Sequence, residues 1–147
     1  MSADGPASGD PADAPLCEAA DLAVTVRWER DGTGLRGQVL AENVGGRVCR
    51  LAGKPAVTPL AGDGTPVPAE TVITLEWRSP GYVLLRPGQR AAARVSWASW
   101  CGRQAAGRAR VGWEGGEAVA EVHGPAQPEC SPGEPDNLVS SWFELIG

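Results

Sequence analysis

The chain has little with which to do acid–base or metal chemistry. It contains one histidine, His123, and one methionine, and its four cysteines include no Cys-x-x-Cys pair. Zinc sites bring ligands in local pairs about two to four residues apart, so no metal site and no cofactor are expected. Lysine is nearly missing too: Lys54 stands alone beside twelve arginines, and the net charge is −5. Nucleic-acid binding draws most of its affinity from phosphates neutralised by Lys and Arg, so an acidic chain is a poor candidate for that partner. No run approaches the roughly 18 consecutive apolar residues that a membrane-spanning helix needs, so no span is expected. Asparagine and isoleucine occur only twice each, against 20 glycines and 13 prolines. That bias toward Arg, Ala, Gly and Pro is what a GC-rich genome produces, and it carries no mechanism.

What is present suffices for one folded domain. Of the 147 residues, 42% are hydrophobic, and a chain of this size buries roughly two-thirds of its unfolded surface. Residues 1–15 hold only Ala, Pro, Gly, Ser and Asp after Met1. Such a segment buries too little to offset its ordering entropy, so a disordered tether is expected there, with a single domain over 16–147. The segment has no basic region followed by an apolar one, as an export signal would.

Cys17, Cys49, Cys101 and Cys130 make an even set, which in a small domain fits a disulfide framework. Four cysteines allow three pairings; buried thiols and a metal site are the alternatives. The favoured pairing is Cys17–Cys49 with Cys101–Cys130, because each bridge then closes a contiguous half of the chain. Loops of that length are worth about 3.5–4 kcal/mol each in the chain-entropy account. Disulfides persist in oxidising compartments, which places the expected location outside the cytoplasm. Either the protein stays in the cytosol or Met1 replaces a removed export signal, and the cysteine count favours the second reading.

The apolar pattern alternates with period two. Leu22, Val24, Val26 and Trp28 share one face of a strand, and residues 35–44 form the next after the Asp31-Gly32 turn. Residues 48–51 and 56–60 read as two short pieces broken by Gly53 and Pro55. Residues 67–77 read as extended. Arg86-Pro87-Gly88-Gln89 is a type II turn signature, with Pro fixing φ and Gly supplying positive φ. Ala91, Ala93, Val95 and Trp97 line one face of the clearest strand, over 90–98. Residues 108–113 and 117–122 make a hairpin, and 139–146 close the fold with Val139, Ser141, Phe143 and Leu145 on one face. No helix is persuasive, although Ala19-Ala20 and Ala105-Ala106 could each form one turn. Seven to nine short strands at this spacing predict an all-β fold, an antiparallel immunoglobulin-like β-sandwich.

Val48-Cys49-Arg50-Leu51-Ala52-Gly53-Lys54-Pro55-Ala56-Val57 resembles the Cys-x-Leu-x-Gly-x-Pro-x-Val signature of a family of actinobacterial exported proteins and lipoproteins. That family is domain of unknown function four-two-three-two. Residues 39–45 and the Leu85-Arg86-Pro87-Gly88 turn are similar to other landmarks of the family, and Cys101 and Cys130 fall where its second cysteine pair would. The resemblance covers residues 17–146 and implies export, a β-sandwich and two disulfides. It implies no activity, ligand or catalytic residue.

A Ser-His-Asp set would have to use His123, yet there is no Gly-x-Ser-x-Gly elbow. The glutamates fall near turns or in polar strand positions, where solvated charge is the ordinary state. Six tryptophans are the unusual feature. Trp28, Trp97, Trp113 and Trp142 are expected in the core. Trp97 and Trp100 cannot both point inward in a regular strand without a bulge. Trp77 and Trp100 are the less obviously inward pair and so the candidates for contact with a ligand or partner, with ordinary packing under the Ser79–Tyr82 or Cys101 loops as the alternative. Together these features predict a monomeric, non-catalytic domain of the cell envelope that binds a glycan or protein or serves structurally. A carbohydrate-binding module using exposed Trp and a secreted protein-binding inhibitor are the alternatives.

Overall fold

The computed structural model describes residues 13–72 and 75–146. Most of the expected tether, 1–12, lies outside the described residues. Its end is tied into the fold: the carbonyl of Ala14 accepts from Arg50 Nε at 2.6 Å, and that of Pro15 from the Arg50 amide at 2.7 Å.

The 3-10 turn Ala19–Asp21 leads into the ten strands found among the described residues. They are β1 (Leu22–Asp31), β2 (Gly34–Asn43), β3 (Cys49–Ala61), β4 (Thr71–Val72) and β5 (Tyr82–Leu85), followed by β6 (Arg90–Trp97), β7 (Ala105–Glu114), β8 (Gly116–His123), β9 (Leu138–Ser140) and β10 (Glu144–Ile146). The fold is all-β, as the alternation requires, but the expected antiparallel sandwich needs correction. The strands form one sheet in the order β4-β9-β6-β2-β1-β8-β7-β3-β5, with β10 also on β6. β8 hydrogen-bonds to both β7 and β1 and so joins what would have been two layers. The β1–β8 and β4–β9 pairs are parallel. The sheet curls until β3 lies against β9, and β5 against β6 and β10, around one core.

Three local expectations also change. Residues 49–61 are one strand, because a bulge between Ala52 and Ala56 absorbs Gly53 at φ 83° and the following Lys54-Pro55. Of residues 67–77, only Thr71 and Val72 pair as a strand, and Ile73 and Thr74 lie outside the described residues. The last strand is two, β9 and β10. Leu138, Ser140 and Phe143 turn inward there while Leu145 is half exposed, so the expected face is wrong.

Two tryptophans meet in the core as their register predicts, with the Trp28 and Trp97 rings 6.4 Å apart. Trp28 faces Gly37 across the β1–β2 ladder, and a Cβ on Gly37 would overlap the Arg27 carbonyl. Only glycine permits that approach. At the far end of β2, Asn43 is buried and fully used. Its Nδ2 donates to the carbonyls of Leu85 and Arg47, at 2.9 and 2.8 Å, and its Oδ1 accepts from the Gly45 amide at 2.9 Å.

Both disulfides form in the favoured pairing, Cys17–Cys49 and Cys101–Cys130, with Cα–Cα distances of 4.9 and 4.6 Å. Cys17 and Cys49 are buried, whereas Cys101 and Cys130 are exposed. Mild reductant followed by alkylation and peptide mapping is therefore expected to label Cys101 and Cys130 first. Cys17 and Cys49 should become labelled only under conditions that unfold the domain. Equal labelling of all four in the folded protein would contradict the burial described.

Candidate functional site

Trp77 and Trp100 part company in the structure. Trp100 is 7% exposed, its ring 6.0 Å from that of Trp97, and its Nε1 donates to the Arg103 carbonyl. No bulge is needed for both rings to turn inward, because β6 ends at Trp97 and the chain leaves the strand before Trp100. Gly102 makes room, since a Cβ there would collide with the Trp100 ring. Trp100 therefore belongs to the core and offers no face to a ligand. Trp77 is 82% exposed.

The segment carrying Trp77, residues 75–81, connects β4 to β5 and is braced from several sides. Arg78 Nη1 donates to the Phe143 carbonyl at 2.6 Å, and Trp142 Nε1 to the Glu76 carbonyl at 3.3 Å. The Gly53 amide, at the bulge of β3, donates to the Gly81 carbonyl at 3.0 Å. Lys54 sits 3.9 Å from the Glu76 carboxylate and 5.2 Å from the centroid of the Trp142 ring. With its backbone and neighbours fixed in this way, Trp77 is held outward beside Leu75, which is also fully exposed.

Two clefts flank the segment. One, of about 460 Å³, lies between Lys54, Ala56, Val72, Ser140 and Trp142. The other, of about 250 Å³, is lined by Trp77, Arg78, Arg94, Ser141 and Glu144; Glu76 and Trp142 border both. Arg94 and Ser141 also line a third and larger hollow on the outer face of the sheet, about 680 Å³ in volume. Arg27, Arg36 and Gln38 form its floor with Arg94. No local motif singles out these arginines, although the strand alternation that places Trp28 and Trp97 inward puts Arg27, Arg36 and Arg94 outward.

His123 is exposed at the end of β8, with Nε2 4.0 Å from Glu121 Oε1. It makes no hydrogen bond to a serine among the described residues. Those residues contain no group of three His, Cys, Asp or Glu able to hold a metal ion. No helix among them is long and apolar enough to cross a membrane.

The model of one family, described as a domain of unknown function (DUF4232), matches residues 17–138. The chain belongs to this family. No curated protein matches the chain, and no solved structure does. As a member of DUF4232 the chain inherits no described activity, so its function has to be argued from the surface. The Cys-x-Leu-x-Gly-x-Pro stretch that carries the resemblance is structural here. Cys49 is bridged to Cys17, Leu51 is buried, and Gly53 with Pro55 makes the bulge that sets Lys54 beside Trp142.

Two carboxyl groups outside the clefts titrate abnormally. The Arg47 guanidinium, at 2.9 Å, and the Glu18 amide hold Asp21 below the usual carboxylate range. Asp63 is lowered to about 2 by the Thr65 hydroxyl and amide and by Arg103. Both depressed values favour the folded state above the unfolded-state pKa and lose that contribution as pH falls through the folded-state value. Stability is thus expected to fall between about pH 4 and pH 2, and less steeply in Asp63→Asn, which urea melts across that range would measure. Identical acid limbs for the two proteins would contradict the Asp63 contacts.

Proposed function

We propose that this domain is a non-catalytic, extracytoplasmic module of the cell envelope that acts by binding, with Trp77 and its clefts as the contact surface. One observation carries the reading: a tryptophan 82% exposed on a segment braced by Arg78, Trp142 and Gly53. An indole left in water contributes nothing to the core, and its large flat face gains contact area when covered. Bracing lowers the entropy lost on binding. The two disulfides support a location in an oxidising compartment.

A carbohydrate-binding role is the more specific form of this reading. Beside the Trp77 ring stand Arg94, Ser141 and Glu144, which can donate to and accept from sugar hydroxyls while the indole covers a ring face. A protein partner would instead use Leu75 and Trp77 together as an apolar anchor.

Titration of the oxidised domain with soluble cell-wall polysaccharide, followed by tryptophan emission and calorimetry, tests the proposal. A saturable response is expected, with affinity about tenfold or more weaker in Trp77→Ala. The urea midpoint of that variant should stay within error of the parent, because Trp77 packs against little. Saturable binding unchanged in Trp77→Ala would overturn the assignment of this surface.

A further inference from the structure

The hollow on the outer face of the sheet gathers three arginines against a single acidic residue. Seven of the thirteen basic side chains have a partner: Arg47 pairs with Glu18 and Asp21, Lys54 with Glu76, Arg103 with Asp63 and Arg110 with Glu117, while Arg30, Arg50 and Arg78 donate to main-chain carbonyls. The guanidinium groups of Arg27, Arg36 and Arg94 make no ion pair and no hydrogen bond with any described residue. They nevertheless converge on one hollow in a chain whose net charge is −5. Glu29 is the one acidic residue lining it, and it faces Arg36 across the β1–β2 ladder without forming an ion pair within 4.0 Å.

Register explains the convergence. Arg94 on β6 pairs with Gln38 on β2, and Gln38 pairs with Arg27 on β1, so the three form a row across the strands. Two strand spacings separate Arg27 from Arg94, about 10 Å at their Cα atoms. Arg36 lies two residues along β2 from Gln38, in the adjoining row with Ser96. Three like charges this close repel one another, and an anion among them relieves that repulsion. At the β9 end the row runs into the smaller cleft, which shares Arg94 and Ser141 with it and contains Trp77. A stacking surface, a line of hydroxyl and amide groups and spaced guanidinium groups thus lie in two hollows that adjoin at Arg94 and Ser141.

We infer that these adjoining hollows bind a carboxylate-bearing glycan, lying across β9, β6, β2 and β1, with Trp77 covering a sugar ring at one end and Arg94, Arg36 and Arg27 pairing with its carboxylates. The inference rests on the reading of Trp77 as a contact residue and names the class of ligand. Guanidinium groups match carboxylates as two-pronged partners, and Gln38, Ser96 and Ser141 supply the neutral hydrogen bonds that sugar hydroxyls require. A volume of about 680 Å³ is ample for two or three sugar rings.

The probe is trigalacturonate, with its methyl ester as the uncharged form of the same sugar chain, titrated calorimetrically into the oxidised protein at physiological salt. Trigalacturonate should bind saturably, and the ester about tenfold to a hundredfold more weakly. Arg94→Gln and Arg27→Gln should each weaken the acid by about tenfold or more and leave the ester unaffected. Arg94→Lys should fall between, since charge remains while the two-pronged geometry is lost. Equal affinity for acid and ester, lost in Trp77→Ala but not in Arg94→Gln, overturns the anionic class while leaving Trp77 as a contact. Arginine-dependent binding unaffected by Trp77→Ala overturns the Trp77 reading and leaves only an anion site. Displacement by equimolar inorganic phosphate, or no saturable binding of trigalacturonate, overturns the glycan inference.

Discussion

The register of β6 governs both the inside and the outside of this protein. Its odd-numbered residues, Ala91, Ala93, Val95 and Trp97, are buried, while Arg90, Arg94 and Ser96 are exposed. The strand is held by β2 on one side and by β9 and β10 on the other. A slip of one residue would expel Trp97 and bury Arg94, so burial of the aromatic core fixes the register. The same register places Arg94 between Gln38 and Ser141, at the junction of two hollows. The small side chains of Ala91 and Ala93 leave the volume between the sheet faces to Trp97, Trp28 and Trp100.

The curl of the sheet completes the surface. Asn43 and the buried Cys17–Cys49 bridge fasten the ends of β2, β3 and β5 to one another. Losing the Asn43 amide would leave the buried Leu85 carbonyl unpaired at a cost of about 1–3 kcal/mol. From that corner β3 runs on to the bulge at Gly53, which carries Lys54 over the Trp142 ring and joins the β4–β5 connection through Gly81. Residues far apart in sequence, Lys54, Glu76 and Trp142, therefore enclose one cleft. The exposure of Trp77 follows from that bracing.

Much of the architecture was legible because alternation is a local property. β1, β2 and β6 can be read from single runs of sequence, as can the Arg86–Gln89 turn, in which Gly88 has φ 84° and Gln89 bonds back to Arg86. The cysteine pairing followed from loop contiguity. The single sheet was not legible, because the parallel β1–β8 contact joins residues nearly a hundred positions apart with no local signal. The bulge in β3 was misread as a break because Gly53 and Pro55 carry the same composition in either case. Trp77 was identifiable as unplaced in any apolar register. Trp100 was unplaced by the same criterion, yet it turns inward after the strand ends, which only the path of the chain reveals. The arginine row was latent in the outward positions of three readable strands, but their adjacency is a product of the topology.

The proposed contact surface lies on the outer sheet face beside Trp77, while Trp28, Trp97 and Trp100 line the core. Nitrogen-15 labelling gives each of the six tryptophans its own indole N–H resonance. These signals are to be followed during titration with soluble cell-wall polysaccharide. Trp77 is expected to shift progressively and saturably, Trp142 to follow to a smaller extent, and Trp28 and Trp97 to stay fixed. Saturable binding that leaves the Trp77 resonance unmoved would contradict a contact at Trp77.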